Sequence, residues 1–250
     1  MQASGMSAIV IAFESFVVLH ILAGSLGLVS FWIPVASRKG SLQHRQWGRV
    51  FTWSMLVTGT AAIGISISTL IDPVNTHPHL QDAEWIRGIF GWMMLGLAVL
   101  TLNLAWYGRC CLANKDDHRQ NLEWRNTALQ VLLLVASVNC AWQSMRIGEP
   151  IMLGMPAIGL ATVASNLAFM LKREPASIDW LKEHIKALVG AGISVYTAFF
   201  AFGAVRTIPT LALHPGLWSI PLIVGLALII YHRLQVERQA KAAVPRPSGS

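Results

Sequence analysis

Charge is scarce in this chain. Only 12% of its 250 residues are Asp, Glu, Lys or Arg, while 54% are hydrophobic. A soluble domain carries roughly 25% charged residues, and with so few polar side chains the apolar mass cannot be covered in water. That excludes an ordinary soluble fold and leaves the bilayer as the solvent. Cysteine is also sparse. Cys110 and Cys111 are adjacent and Cys140 lies inside an apolar run, so there is no disulfide framework and free buried thiols are expected. The chain has no Cys-x-x-Cys, His-x-x-x-His or His-Glu-x-x-His spacing, no phosphate-cradling glycine loop and no Ser-His-Asp order. The metal, nucleotide and hydrolase signatures that spacing alone reveals are therefore missing. The net charge of +7 is not concentrated in a basic, aromatic-interleaved stretch, so nucleic acid is excluded as a partner.

Long apolar runs are what the chain does have. A spanning helix needs about 20 mostly apolar residues, and seven segments qualify, near 7–36, 51–71, 85–107, 127–145, 151–171, 187–205 and 211–231. The expected fold class is all-α, a polytopic membrane helical bundle of seven transmembrane helices. Residues 1–238 form one domain and 239–250 a disordered tail. The first run has no Lys or Arg before it and is too long for a signal-peptide core of about 7–15 residues, so it is retained as a span. Of the 19 Lys and Arg residues, 16 fall on one side of the alternating loops, and only Arg87, Arg146 and Arg206 fall on the other. The positive-inside rule then puts the C-terminus in the cytoplasm and the N-terminus outside. Tryptophans gather near both sets of span ends, as an interfacial ring with a dry face and a wet N–H should. The localisation expected is a bacterial inner membrane, with the lipid bilayer as the first partner.

Ionisable groups inside a bilayer are costly and are candidates for function. The first span holds two, Glu14 and His20. They are six residues apart, about 240° around the axis, and so do not share a face. Glu14 is expected either to pair with an arginine at the external ends (Arg87, Arg146 or Arg206) or to carry a proton or ligand. His20 lies near mid-membrane, and no other histidine reaches its depth. It is read as a hydrogen-bonded packing histidine, with single-histidine haem ligation as the alternative. His77-Pro78-His79 reads as an exposed loop. On the basic side, His44, His118, His184 and His232 share a level with several carboxylates. Whether they converge is not visible in sequence.

One cluster forms a pattern. His20 and Gly24 are followed by Arg38-Lys39-Gly40, then His44-Arg45-x-x-Gly48-Arg49-x-Phe51 and Met55. Later come His184-Ile185-x-Ala187 and Tyr196-Thr197-Ala198-Phe199. Over residues 16–56 and 180–206 this resembles a family of predicted bacterial inner-membrane proteins with no assigned activity. The resemblance implies that His20, His44, Arg45 and His184 stand at that family's recurring positions. Physically, Arg45 and Arg49 at i, i+4 share a face, and Gly48 is expected to permit close approach. His44, Arg45, Arg49 and His184 are expected to form a basic pocket at the inner interface that takes an anionic group. The leading expectation is a non-enzymatic membrane protein binding a lipid, a small hydrophobic or anionic molecule, or a partner subunit there. The rivals are an oxidoreductase using haem or quinone, a metal-dependent enzyme using the cytoplasmic-face histidines, and a small proton-coupled transporter using Glu14.

Overall fold

The computed structural model describes residues 7–203 and 215–242. Among the described residues every regular element is helical. Seven helices are long and apolar enough to cross a membrane, as in a multi-pass bundle: α1 (Ala8–Ala36), α2 (Leu42–Ile71), α3 (Ala83–Ala113), α4 (Trp124–Ile147), α5 (Pro150–Met170), α6 (Asp179–Ala201) and α7 (Pro215–Ala242).

Local chemistry sets the helix ends. The Ser7 hydroxyl accepts from the Val10 N–H at the start of α1, and the Ser41 hydroxyl accepts from the His44 N–H at the start of α2. Both satisfy an otherwise orphaned helix donor. Between these two helices Gly40 takes φ +78°, a conformation open to glycine at no steric cost. The turn is therefore tight and α2 doubles back along α1. Asp82 caps α3 through the Glu84 and Trp85 N–H groups. Residues Arg87–Met93 of α3 are π-helical, and so is Phe199–Gly203, which overlaps the end of α6 and runs on past it.

The helices begin earlier at the basic end than hydropathy indicates. α2 starts nine residues before 51 and α6 eight before 187. His44, Arg45, Gly48, Arg49, Glu183 and His184 therefore sit on helical turns rather than in loops. The reason is physical: a hydropathy window detects the segment that must be dry, whereas a cap and backbone hydrogen bonds carry the helix on into polar surroundings. α7 likewise continues through Ala242, and residues 243–250 lie outside the described residues.

α3 is the central helix and packs against α2, α4, α5 and α6. α1 packs on α2 and, less extensively, on α6, while α7 packs on α6. The core runs from Phe31, Phe51 and Met55 through Tyr107 to Leu133, Met152 and Met170. Close approach depends on small residues. A Cβ at Gly64 would lie 2.5 Å from the Phe16 ring, and one at Gly192 would lie 2.3 Å from the Phe31 ring. The outward surface is apolar, with Leu22, Val29, Val135 and Ile223 among its exposed side chains. Cys110, Cys111 and Cys140 are free and buried.

Candidate functional site

The basic end of the bundle is formed by the α1–α2 turn, the C-terminal end of α3 and the facing ends of α6 and α7. Three carbonyl-anchored side chains organise it. Lys39 Nζ donates to the Pro34 and Val35 carbonyls at 2.9 and 2.7 Å, and His44 Nδ1 meets the same Pro34 carbonyl at 3.0 Å. These are the C-terminal carbonyls of α1, which have no helical donor of their own, and a cation there also suits the helix dipole. His184 Nδ1 meets the Gly108 carbonyl of α3 at 2.8 Å. A carbonyl only accepts, so both imidazoles carry their proton on Nδ1. That leaves Nε2 with a lone pair when the ring is neutral and a donor when it is charged.

His184 lies within electrostatic reach of His44 and Lys39, and His232 of α7 within reach of the same two groups. His232 is buried, and neither ring nitrogen makes a hydrogen bond of normal geometry; the Gln235 side chain is its polar neighbour. Four separate segments thus bring His44, His184 and His232 within electrostatic reach of Lys39. Lys39, in the turn outside the helices, is held below the ordinary lysine value by burial. The carboxylates of α6 and α7 at this end are engaged elsewhere. Asp179 pairs with Lys172, Glu237 with Lys182, and Glu183 with Lys186.

A second polar cluster lies between α3 and α6. Tyr107 donates to Glu183 Oε2 at 2.9 Å, Lys186 donates to the same oxygen, and Lys186 also reaches Ser165 of α5 at 3.1 Å. Cys111 adjoins Tyr107. Hydropathy alone starts this span at residue 187, past Glu183 and Lys186, whereas the helix begins at Asp179. The i, i+3 spacing of Glu183 and Lys186 and the i, i+4 spacing of Tyr107 and Cys111 were the available signals.

Other expectations come out differently. Arg45 and Arg49 are exposed and do not join His44 and His184, because they project from another face of α2. Among the described residues neither makes an ion pair or hydrogen bond within the chain. A Cβ at Gly48 would meet nothing within 4 Å, so this glycine marks open space instead of a close contact. Glu14 is exposed on the outer face of α1 and has no ion pair among the described residues. Arg87 is turned to the Leu70 carbonyl and Arg146 to Glu84 and Gln143, while Arg206 lies outside the described residues. His20 Nδ1 meets the Thr58 carbonyl of α2 at 3.1 Å. It is an α1–α2 strut about 24 Å along the helix from Ala36, at 1.5 Å per residue, and so remote from the basic cluster.

At the opposite end His77 is not an exposed loop residue. It stacks on Phe90 with ring centroids 4.5 Å apart and meets the edge of Phe13 at 5.5 Å. Burial, and secondarily His79, push its pKa down to about 4. Among the described residues no group of three His, Cys, Asp or Glu side chains is disposed to hold a metal ion. No family model matches the chain, and no curated protein or solved structure is significantly similar to it.

Proposed function

We propose that this chain is a multi-pass protein of a bacterial inner membrane, with its N-terminus outside and its C-terminus in the cytoplasm. In this reading it binds an anionic group, a lipid phosphate or a small anion, at the basic end between the α1–α2 turn, α6 and α7. One observation carries the proposal: Lys39, His44, His184 and His232 come together with no carboxylate among the groups they sense, while the nearby carboxylates already hold lysines. Such a set repels itself when empty and is relieved by a negative charge. The unpaired Arg45 and Arg49, exposed on α2, reach phosphates at the membrane surface beside the pocket instead of lining it.

The test is binding of inorganic phosphate and of anionic against zwitterionic phospholipid to the purified protein, by native mass spectrometry at pH 5.5 and 7.5. A bound anion favours the charged form of each imidazole beside it, so binding should be tighter at pH 5.5 than at pH 7.5. Retention should be lost in a His44→Ala/His184→Ala variant and only weakened in Arg45→Ala. Equal retention by the double-histidine variant, or no preference for anionic lipid or phosphate, overturns the reading.

A further inference from the structure

The buried residues of α4 are Asn126, Gln130, Leu133, Ser137, Cys140 and Ser144. The helix therefore turns a mostly polar seam to the protein and an apolar side to the lipid. Polar seams inside a membrane bundle hydrogen-bond to facing helices, and at one level this one does so only in part. Asn166 Nδ2 of α5 donates to Asn103 Oδ1 of α3 at 3.1 Å and to Gln130 Oε1 at 3.3 Å. The other end of each amide, Asn103 Nδ2, Gln130 Nε2 and Asn166 Oδ1, is buried without a partner, and so is Ser137 Oγ. Asn103 and Asn166 are 0% exposed and Gln130 is 1% exposed.

Reassigning the amides does not remove the deficit. Asn166 touches both neighbours with a single end, so the free ends are two donors and one acceptor, or, with all three amides turned over, two acceptors and one donor. Unpaired buried amide ends are strongly disfavoured, and the more so in a membrane interior. The complement to either set is a small neutral molecule that accepts and donates at once, with about three hydrogen bonds, which is the pattern of a buried water.

We propose that Asn103, Gln130 and Asn166 form an internal hydration site between α3, α4 and α5, supplied with water from the basic end. The supply route follows one face of α3. Asn103, Tyr107 and Cys111 are spaced i, i+4 and i+8, so Tyr107 lies one turn, about 6 Å, from Asn103 toward the basic end. The Tyr107 hydroxyl donates to Glu183, and its oxygen, which the Cys111 thiol adjoins, has a second lone pair to accept from a water. Glu183 and Lys186 continue the polar line, and Lys186 is bound to Ser165, the neighbour of Asn166 in sequence. The site lies apart from the anion pocket of α1, α2, α6 and α7 and does not depend on it.

Millisecond hydroxyl-radical footprinting by X-ray radiolysis of the full-length protein in nanodiscs, read by mass spectrometry, tests this. Radicals form on bound water and oxidise the side chains beside it. Tyr107 and Met170, the latter one turn from Asn166 on α5, should be modified at least tenfold faster than Met93, which is equally buried but lies away from the amides. In the Asn103→Leu/Gln130→Leu/Asn166→Leu variant, which replaces the whole set with apolar groups, that labelling should fall to the Met93 level. Absence of labelling at Tyr107 and Met170 in the wild type overturns the proposal, a result that needs no variant to fold. Labelling that persists in the triple variant also overturns it, because the water would then be held by other groups.

Discussion

α1 and α3 are of similar length and similarly apolar, yet they stand in opposite relation to the rest of the molecule. α1 buries only Gly24, Gly27, Ser30 and Phe31. Its contacts are made by small residues and a few rings, Phe13, Phe16 and Phe31, and its polar side chains either brace a backbone carbonyl, as His20 does, or face outward, as Glu14 does. α3 is covered along most of its length and buries Asn103, Tyr107, Cys110 and Cys111 among its apolar residues. The difference shows that hydropathy states which segments leave water, and not which of them leave lipid. A peripheral helix is held by shape, because lipid competes equally for its apolar surface. A central helix accommodates polar groups because its neighbours supply partners.

The comparison can be broken first at the centre. Glu183→Ala should cost about 3–5 kcal/mol in reversible unfolding, because it leaves Lys186 as an uncompensated buried charge and removes the acceptor of the Tyr107 hydroxyl. Glu183→Gln/Lys186→Met should recover most of that loss. A cost below about 1 kcal/mol for the single variant would show that the α3–α6 cluster is solvated and the centre no more demanding than the rim.

At the edge of α1 the largest sensitivity should be steric. Gly192→Ala brings a methyl group onto the Phe31 ring and should destabilise by about 1–3 kcal/mol, net of the roughly 1 kcal/mol that alanine gains in helix propensity. A stabilised Gly192→Ala protein in thermal unfolding would show that α1 and α6 are not held by this contact.

The α1–α3 contact through His77 should depend on pH. Folded His77 titrates near 4, against an ordinary value of 6.5. As pH falls, the unfolded chain takes up the proton first. The contribution is therefore complete above about pH 6.5, declines down to about pH 4 and is constant below that. Full conversion of the shift is reduced by solvent screening at this partly exposed ring, leaving about 1–2 kcal/mol. Melting temperatures of wild type and His77→Leu at pH 7.5 and 4.5 check it. The wild type should lose more on acidification than the variant.

The smallest effect belongs to the lipid-facing carboxylate. Glu14→Gln should change stability by no more than about 0.5 kcal/mol, as at a surface site away from special features. A loss of 2 kcal/mol or more would give Glu14 a partner and make α1 less peripheral than its burial indicates.

The seven helices were legible in the sequence because an apolar run of spanning length has few other uses. The gathering of histidines at the basic end was legible only as a shared level, since loop charges count sides without measuring distance. The i, i+4 spacing of Arg45 and Arg49 puts them on a common face without saying that the face is turned outward. Glu183 and Lys186 were hidden because a charged helical turn lowers hydropathy, and the segment then reads as loop. The amides of Asn103, Gln130 and Asn166 carry no signal singly in three apolar runs. Only the packing of α3, α4 and α5 brings them together.

The π-helical stretch Arg87–Met93 divides α3 into two parts with different tolerance of length. A π turn accommodates one residue more than an α turn. Removal of a single residue within it leaves an ordinary α-helix, with everything toward the basic end still in register. The same deletion between 98 and 102 has no slack to absorb it and rotates the remainder of the helix by 100°, carrying Asn103 away from Asn166 and Tyr107 away from Glu183. The N-terminal part of α3 thus acts as a phase adjuster that can vary in length among descendants of this sequence, while the part that follows has its phase locked by side chains on α5 and α6.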